Sequence, residues 1–251
     1  MSSNIWTLCA GDSELRPLQL AAWRAVEAQH QVSTRKLVDT AAEQELLEEL
    51  IETAKPPDVT GGRVHYLLST PFRYPPLRHG SRFGTRQERG IWYGAMTLRT
   101  LFAEVAYYRF VFIDGSHAVL GTLSTQLTAF TARVSTTHGI DLVGTPFAAH
   151  RATIASPTDY GPTQALGADM RQAGVEAFTY PSARDTRDGV NLGVLSPAAF
   201  GQLKPRSLET WHCTATQARV ELVKRDYFAR RSFSYEREEF LIGGTLPAPA
   251  V

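Results

Sequence analysis

The chain has 251 residues, 43% of them hydrophobic and 20% charged, globular proportions that exclude wholesale disorder. Its 26 basic and 25 acidic side chains leave a formal charge of +1, which excludes a nucleic-acid grip spread over the whole surface. The start Met-Ser-Ser-Asn-Ile-Trp is not a signal peptide pattern, no run of about 18 apolar residues suggests a membrane span, and Cys9 and Cys213 have no metal or C-x-x-C spacing, so a cytoplasmic protein with reduced thiols is expected.

Residues 1–57 read as helical. Leu18, Ala21, Ala22, Ala25 and Val26 recur at helical spacing, and a second helix is predicted from about Thr34 to Ala54. Leu47, Leu50, Ile51 and Ala54 form its apolar stripe, Glu43, Glu45, Glu48, Glu49 and Glu52 supply its polar faces, and Pro56-Pro57 stops it. This acidic hairpin is either a partner-docking or dimerisation arm or a helical layer packed on the main domain. Residues 58–62 read as a linker.

From Val64 the pattern turns to strands. Val64–Leu68 is β-like, and Pro71 to Pro76 interrupts regular structure. Gly90–Gly94 contains a short apolar strand, and Thr97 is a plausible N-cap for a helix from Leu98 to about Phe112 that carries Glu104 on the shoulder of its apolar stripe. Val119–Val134 reads as one long or two short strands. A helix follows from about Asp159 to Gln172, closed by Gly174. Strands are then predicted at Glu176–Tyr180, Val190–Leu195, Leu208–Thr216, Arg219–Val223 and Ser232–Tyr235, and the tail from Gly243 is expected to fray. Helices early and strands late, without β-α alternation, predict an α+β fold with a mostly antiparallel sheet.

No Walker, Rossmann, zincin or nucleophile-elbow motif is present, and the seven histidines form no ligand pair. The remaining chemistry-bearing residues are arginines, tyrosines, a glutamate and a serine at loops and element ends. Phe72-Arg73-Tyr74, Gly80-Ser81-Arg82-Phe83, Tyr93 followed eleven positions later by Glu104, and Tyr180-Pro181-Ser182-Ala183-Arg184 before Gly189-Val-Asn-Leu-Gly193 together resemble the RES-domain family. The resemblance spans roughly residues 64–240. It divides the chain into an N-terminal helical extension, 1–60, and a RES catalytic domain, 61–251.

The resemblance implies an ADP-ribosyltransferase-like fold and a toxin of a toxin–antitoxin pair. Such a toxin destroys NAD at its nicotinamide–ribose bond by phosphorolysis or hydrolysis, and is restrained by a Xre-like helix-turn-helix antitoxin that covers the active site. NAD is then substrate rather than cofactor, with inorganic phosphate as a second substrate in the phosphorolytic case. No metal, no direct nucleic-acid contact and no membrane contact are expected, and self-association is left open.

The residue chemistry suits that expectation. Glu104 can stabilise the cation left on the ribose, and Arg73 or Arg82 can grip the pyrophosphate, the other being free for an acceptor phosphate. Tyr93 and Tyr74 can stack on the nicotinamide or support the arginine, and Ser182 can hold the carboxamide or a ribose hydroxyl. Phe83 and Arg184 complete the expected NAD contacts. Two other functions compete: an ADP-ribosyltransferase acting on a macromolecule, and a β-rich binding module whose helical arm docks a partner.

Overall fold

The computed structural model describes residues 4–28, 38–74, 76, 79–118, 120–226 and 230–248. The fold is α+β. A short turn of helix, α1 (Ile5–Leu8), leads into β1 (Arg16–Glu27), then α2 (Ala41–Ala54), α3 (Tyr66–Arg73), β2 (Trp92–Ala95) and α4 (Leu98–Asp114). The long strand β3 (Leu123–Asp141) follows, then α5 (Arg151–Ile154), α6 (Gly161–Gln172), β4 (Ala177–Pro181), β5 (Val190–Val194), β6 (Arg206–Ala215), β7 (Arg219–Lys224) and β8 (Ser232–Glu236).

The strands form one sheet in the order β1-β2-β5-β4-β3-β6-β7-β8, and β1 also pairs along its length with β3. Strands β1, β2, β5, β4 and β3 therefore close into a ring, from which β6, β7 and β8 extend. All pairings are antiparallel except β3–β4.

Three buried clusters hold these elements together. One joins α4 to β3, β6, β7 and β8 through Phe102, Phe110, Trp211 and Tyr235. A second gathers α6, β4 and the 81–84 turn around Phe83, Phe147 and Phe178. The third packs α3 against the ring through Leu68, Phe72, Trp92 and Phe130.

Several expectations are corrected here. Leu18–Val26 is a strand. Its apolar residues fit a 3.6-residue period, but the segment also works as a two-sided strand, with Leu20 and Ala22 against one core and Trp23 and Ala25 against another. Pairing with β3 along almost its whole length overrides the alanine-rich helical preference. Val64–Leu68 is not a strand either. His65 caps α3, its Nδ1 accepting from the Leu67 backbone N–H, and Pro71 lies inside that helix.

The acidic helix α2 is present from Ala41, opened by a capping box in which Thr40 Oγ1 accepts from Glu43 N–H and Glu43 Oε2 accepts from Thr40 N–H. Residues 34–37 of the expected helix lie outside the described residues. It is not a packed layer, because nearly all its side chains are exposed. The tail from Gly243 does not fray over 243–248. Gly243 and Gly244, at φ +57° and +78°, make a tight turn between Ile242 and Thr245, and Leu246 is buried in the core beside α4. The Tyr107 hydroxyl donates to Pro247 O at 2.5 Å. Residues 249–251 lie outside the described residues.

Candidate active site

Glu104 sits in the middle of α4, whose start is fixed by Thr97 Oγ1 accepting from Thr100 N–H at 3.1 Å. Its carboxylate reaches the end of the β4–β5 pair. There Oε1 accepts from the Ser182 hydroxyl at 2.8 Å and from Asn191 Nδ2 at 2.7 Å. Among the described residues Oε2 receives no hydrogen bond, and Glu104 lines a cleft of about 130 Å³ with Ser81, Arg82, Tyr93, Tyr108, Tyr160, Tyr180 and Asn191.

Ser182 is buried and fully committed. Its O–H donates to Glu104, while Oγ accepts from the backbone N–H groups of Arg184 and Asp185, each at 3.1 Å. Asp185 is in turn held by the Thr100 hydroxyl at 2.9 Å and by Arg99 at 3.3 Å, which ties the 182–185 turn to the first turn of α4. The serine thus orients the carboxylate and has no donor left for a ligand, a different task from the substrate contact expected of it.

Arg82 lies in the 81–84 turn. Nη1 donates to Ser156 O at 2.7 Å and Ile154 O at 3.2 Å, and the guanidinium stacks over Tyr160, 4.5 Å from the ring centre. One edge of the fork is therefore anchored, and among the described residues Nε and Nη2 meet no protein acceptor. The turn is held by Tyr93, whose hydroxyl lies 2.9 Å from Ser81 Oγ and accepts from Phe83 N–H at 3.2 Å. Gly167 of α6 lets the helix press against it, since a Cβ there would stand 1.9 Å from Phe83 O. Burial pushes the Tyr93 phenol up to about 12 and raises Tyr180 well above its ordinary value, so both rings are neutral walls at physiological pH.

A larger groove of about 540 Å³ adjoins the cleft and shares Ser81, Tyr93, Tyr108 and Tyr160 with it. Tyr74 and Tyr107 line this groove, as does Arg24 from β1. Arg24 Nη1 donates to Tyr93 O at 2.7 Å and the guanidinium lies over Trp92. Among the described residues no carboxylate pairs with it. Burial lowers its pKa to about 10, which leaves it charged at neutral pH. A half-buried cation without a carboxylate partner among the described residues favours an anionic guest.

The structure thus brings Glu104, Ser182, Arg82 and Tyr93 together, with Tyr74 in the adjoining groove. It places three expected residues elsewhere. Arg73 ends α3 with Nε donating to Pro56 O, so Arg82 rather than Arg73 lines the cleft. Phe83 is core, its ring edge-on to Phe178 and Tyr180. Arg184 is buried with its guanidinium 3.5 Å from the centre of the Tyr107 ring and Nη2 donating to Pro157 O. Arg24 and Asn191 were missed. A polar residue inside the apolar Val-Asn-Leu-Gly-Val strand was the available signal for Asn191. Among the described residues, no group of histidine, cysteine, aspartate and glutamate side chains could hold a metal ion, and no helix is long and apolar enough to cross a membrane.

A family model described as RES domain matches residues 55–216. The chain belongs to the RES-domain family. No curated protein matches it. Among solved structures it is similar to the M. tuberculosis MbcT-MbcA toxin-antitoxin complex, at 15% identity and a TM-score of 0.45 over 80% of this chain and 87% of that one. The family match starts after α2, so β1 and its Arg24 lie outside the matched residues although β1 is a stave of the ring.

Proposed function

We propose that this RES-domain protein breaks the nicotinamide–ribose bond of NAD, and does so as the toxin of a pair restrained by a helix-turn-helix antitoxin. The observation that carries the reading is the half-used carboxylate of Glu104. One oxygen is pinned by Ser182 and Asn191, and the other is left for the cleft it shares with Arg82.

The C1′–N bond breaks with its electron pair going to the nicotinamide nitrogen, so the leaving group departs neutral and positive charge builds on the ribose. Glu104 Oε2 would accept from a ribose hydroxyl and stabilise that charge. Arg82 and Arg24 supply two fixed guanidinium groups for the pyrophosphate or an acceptor phosphate, a task that planar forks perform better than ammonium groups. The tyrosine walls offer faces for the nicotinamide and adenine rings. An oxygen of phosphate, or of water that gives up a proton to solvent, then bonds to the ribose C1, giving the 1″-phosphate of ADP-ribose or ADP-ribose itself.

Chromatography of NAD incubated with the purified protein, with and without inorganic phosphate, tests this reading. Nicotinamide should appear, and its nucleotide partner identifies the acceptor. Glu104→Gln keeps the shape and removes the charge, and should lower turnover by at least about 10²-fold. A folded Glu104→Gln protein that consumes NAD at the parent rate would remove Glu104 from the mechanism. Labelled ADP-ribose found on lysate protein or RNA instead of in free nucleotide would favour transfer to a macromolecule.

A further inference from the structure

Helix α2 carries an apolar stripe that is largely exposed, Leu47 being half-buried. Leu46 and Leu50 are 56% and 58% exposed, and Ile51 is also exposed. Asp39 and the five glutamates from Glu43 to Glu52 put six of the chain's 25 acidic residues into this arm and none of its 26 lysines and arginines, so the rest of the chain is left distinctly basic.

The body has a surface that matches. Arg133, Arg206 and Gln202 line a depression of about 250 Å³ beside β1 and β3. Leu203 and Leu208, 57% and 59% exposed, flank it in sequence, as does Lys204. Among the described residues no carboxylate pairs with Arg133, Lys204 or Arg206. The backbone is irregular here too, with a bulge in the β3–β6 register and Ser207 at φ +49°.

We propose that α2 is an exchange arm that docks on this leucine-flanked basic depression of a second copy of the chain, which returns the same contact. Apolar meets apolar, and the acidic arm meets unpaired arginines. Within the single chain Leu46, Leu50 and Ile51 stand exposed, so this face of the arm is not used on its own body. Pairing α2 with α2 would bring two acidic arms together. A reciprocal contact is the two-fold arrangement usual for homodimers. A helix of 14 residues is about 21 Å long, and two such contacts bring the buried surface toward the roughly 1,200 Å² of a stable interface.

Sedimentation equilibrium of the full chain tests this. Twice the chain mass is expected at 0.1 M salt, with dissociation favoured at 1 M, where the screening length falls from about 10 Å to about 3 Å. The arm variant Leu46→Asp/Leu50→Asp and the body variant Arg133→Glu/Arg206→Glu should each be monomeric, with circular dichroism and melting like the parent. Their one-to-one mixture should associate more than either variant alone but more weakly than the parent, because one intact arm meets one intact body and the second contact stays broken. A monomeric parent overturns the proposal, whether the arm folds onto its own chain or serves a different protein. So does a body variant that still dimerises, which would point to α2–α2 pairing, or a mixture that associates no more than either variant alone. None of these residues lines the Glu104 cleft, so the outcome is independent of the NAD reading.

Discussion

The two oxygens of Glu104 have different tasks, and two neighbours decide which does what. Ser182 and Asn191 both donate to Oε1, and hydrogen bonds to a charged acceptor are each worth about 1.5–3 kcal/mol. Ser182→Ala and Asn191→Leu should therefore free the carboxylate to turn, lowering kcat by roughly 10-fold or more with a smaller change in KM. Asn191→Asp separates orientation from bulk. A second carboxylate beside Glu104 makes the pair share a proton, so the activity–pH profile should shift to higher pH, an outcome that packing alone would not produce. An unchanged profile would mean that Asn191 does not act through Glu104. Glu104, Ser182, Arg82 and Tyr93 could be found in the sequence because each stands in a short ordered motif. Arg24 could not, since nothing local marks an arginine whose importance comes from lacking a partner in three dimensions. Arg73 misled because its neighbours suggested a loop, whereas they form the end of a helix.

At the level of elements, α4 transmits the site. Thr97 caps it, Thr100 bonds Asp185 from its first turn, Glu104 follows one turn later, and Tyr107 stacks under Arg184. Thr97→Ala should cost about 1 kcal/mol, a fall in melting temperature of about 2–4 °C for a chain of this size, read by calorimetry. It should also loosen the 182–185 turn, so activity should fall below what the lost stability explains. The bounds of α4, α6 and β4 to β8 were legible because the Thr97 cap, the Gly174 stop and short β-rich runs between turn residues mark them. In β1 they conflict. Alanine spacing suggested a helix, and only the long partner strand β3 makes it extended. Val64–Leu68 erred in the opposite direction, being too short an apolar run for periodicity to decide.

Over the whole molecule the α+β class followed from the order of helices and strands, but closure of β1, β2, β5, β4 and β3 into a ring did not, because it rests on pairings between distant segments. The ring sets three site residues on its own staves: Arg24 on β1, Tyr93 on β2 and Asn191 on β5. Its buried phenols also give the fold an alkaline limit. Tyr93 and Tyr180 titrate higher in the folded chain than in the unfolded one, so their contribution is complete below about pH 10 and is lost at higher pH, for Tyr93 as pH rises through about 12. Denaturant midpoints should be flat as pH approaches 10 and fall beyond it, and Tyr93→Phe should lessen the fall. One rim of this sheet stays open. β8 has β7 on one side and no further strand among the described residues on the other. Should chains ever join edge to edge into filaments, Ser232–Glu236 is where growth would begin, and the charges of Arg231 and Glu236 at its two ends are what would slow it.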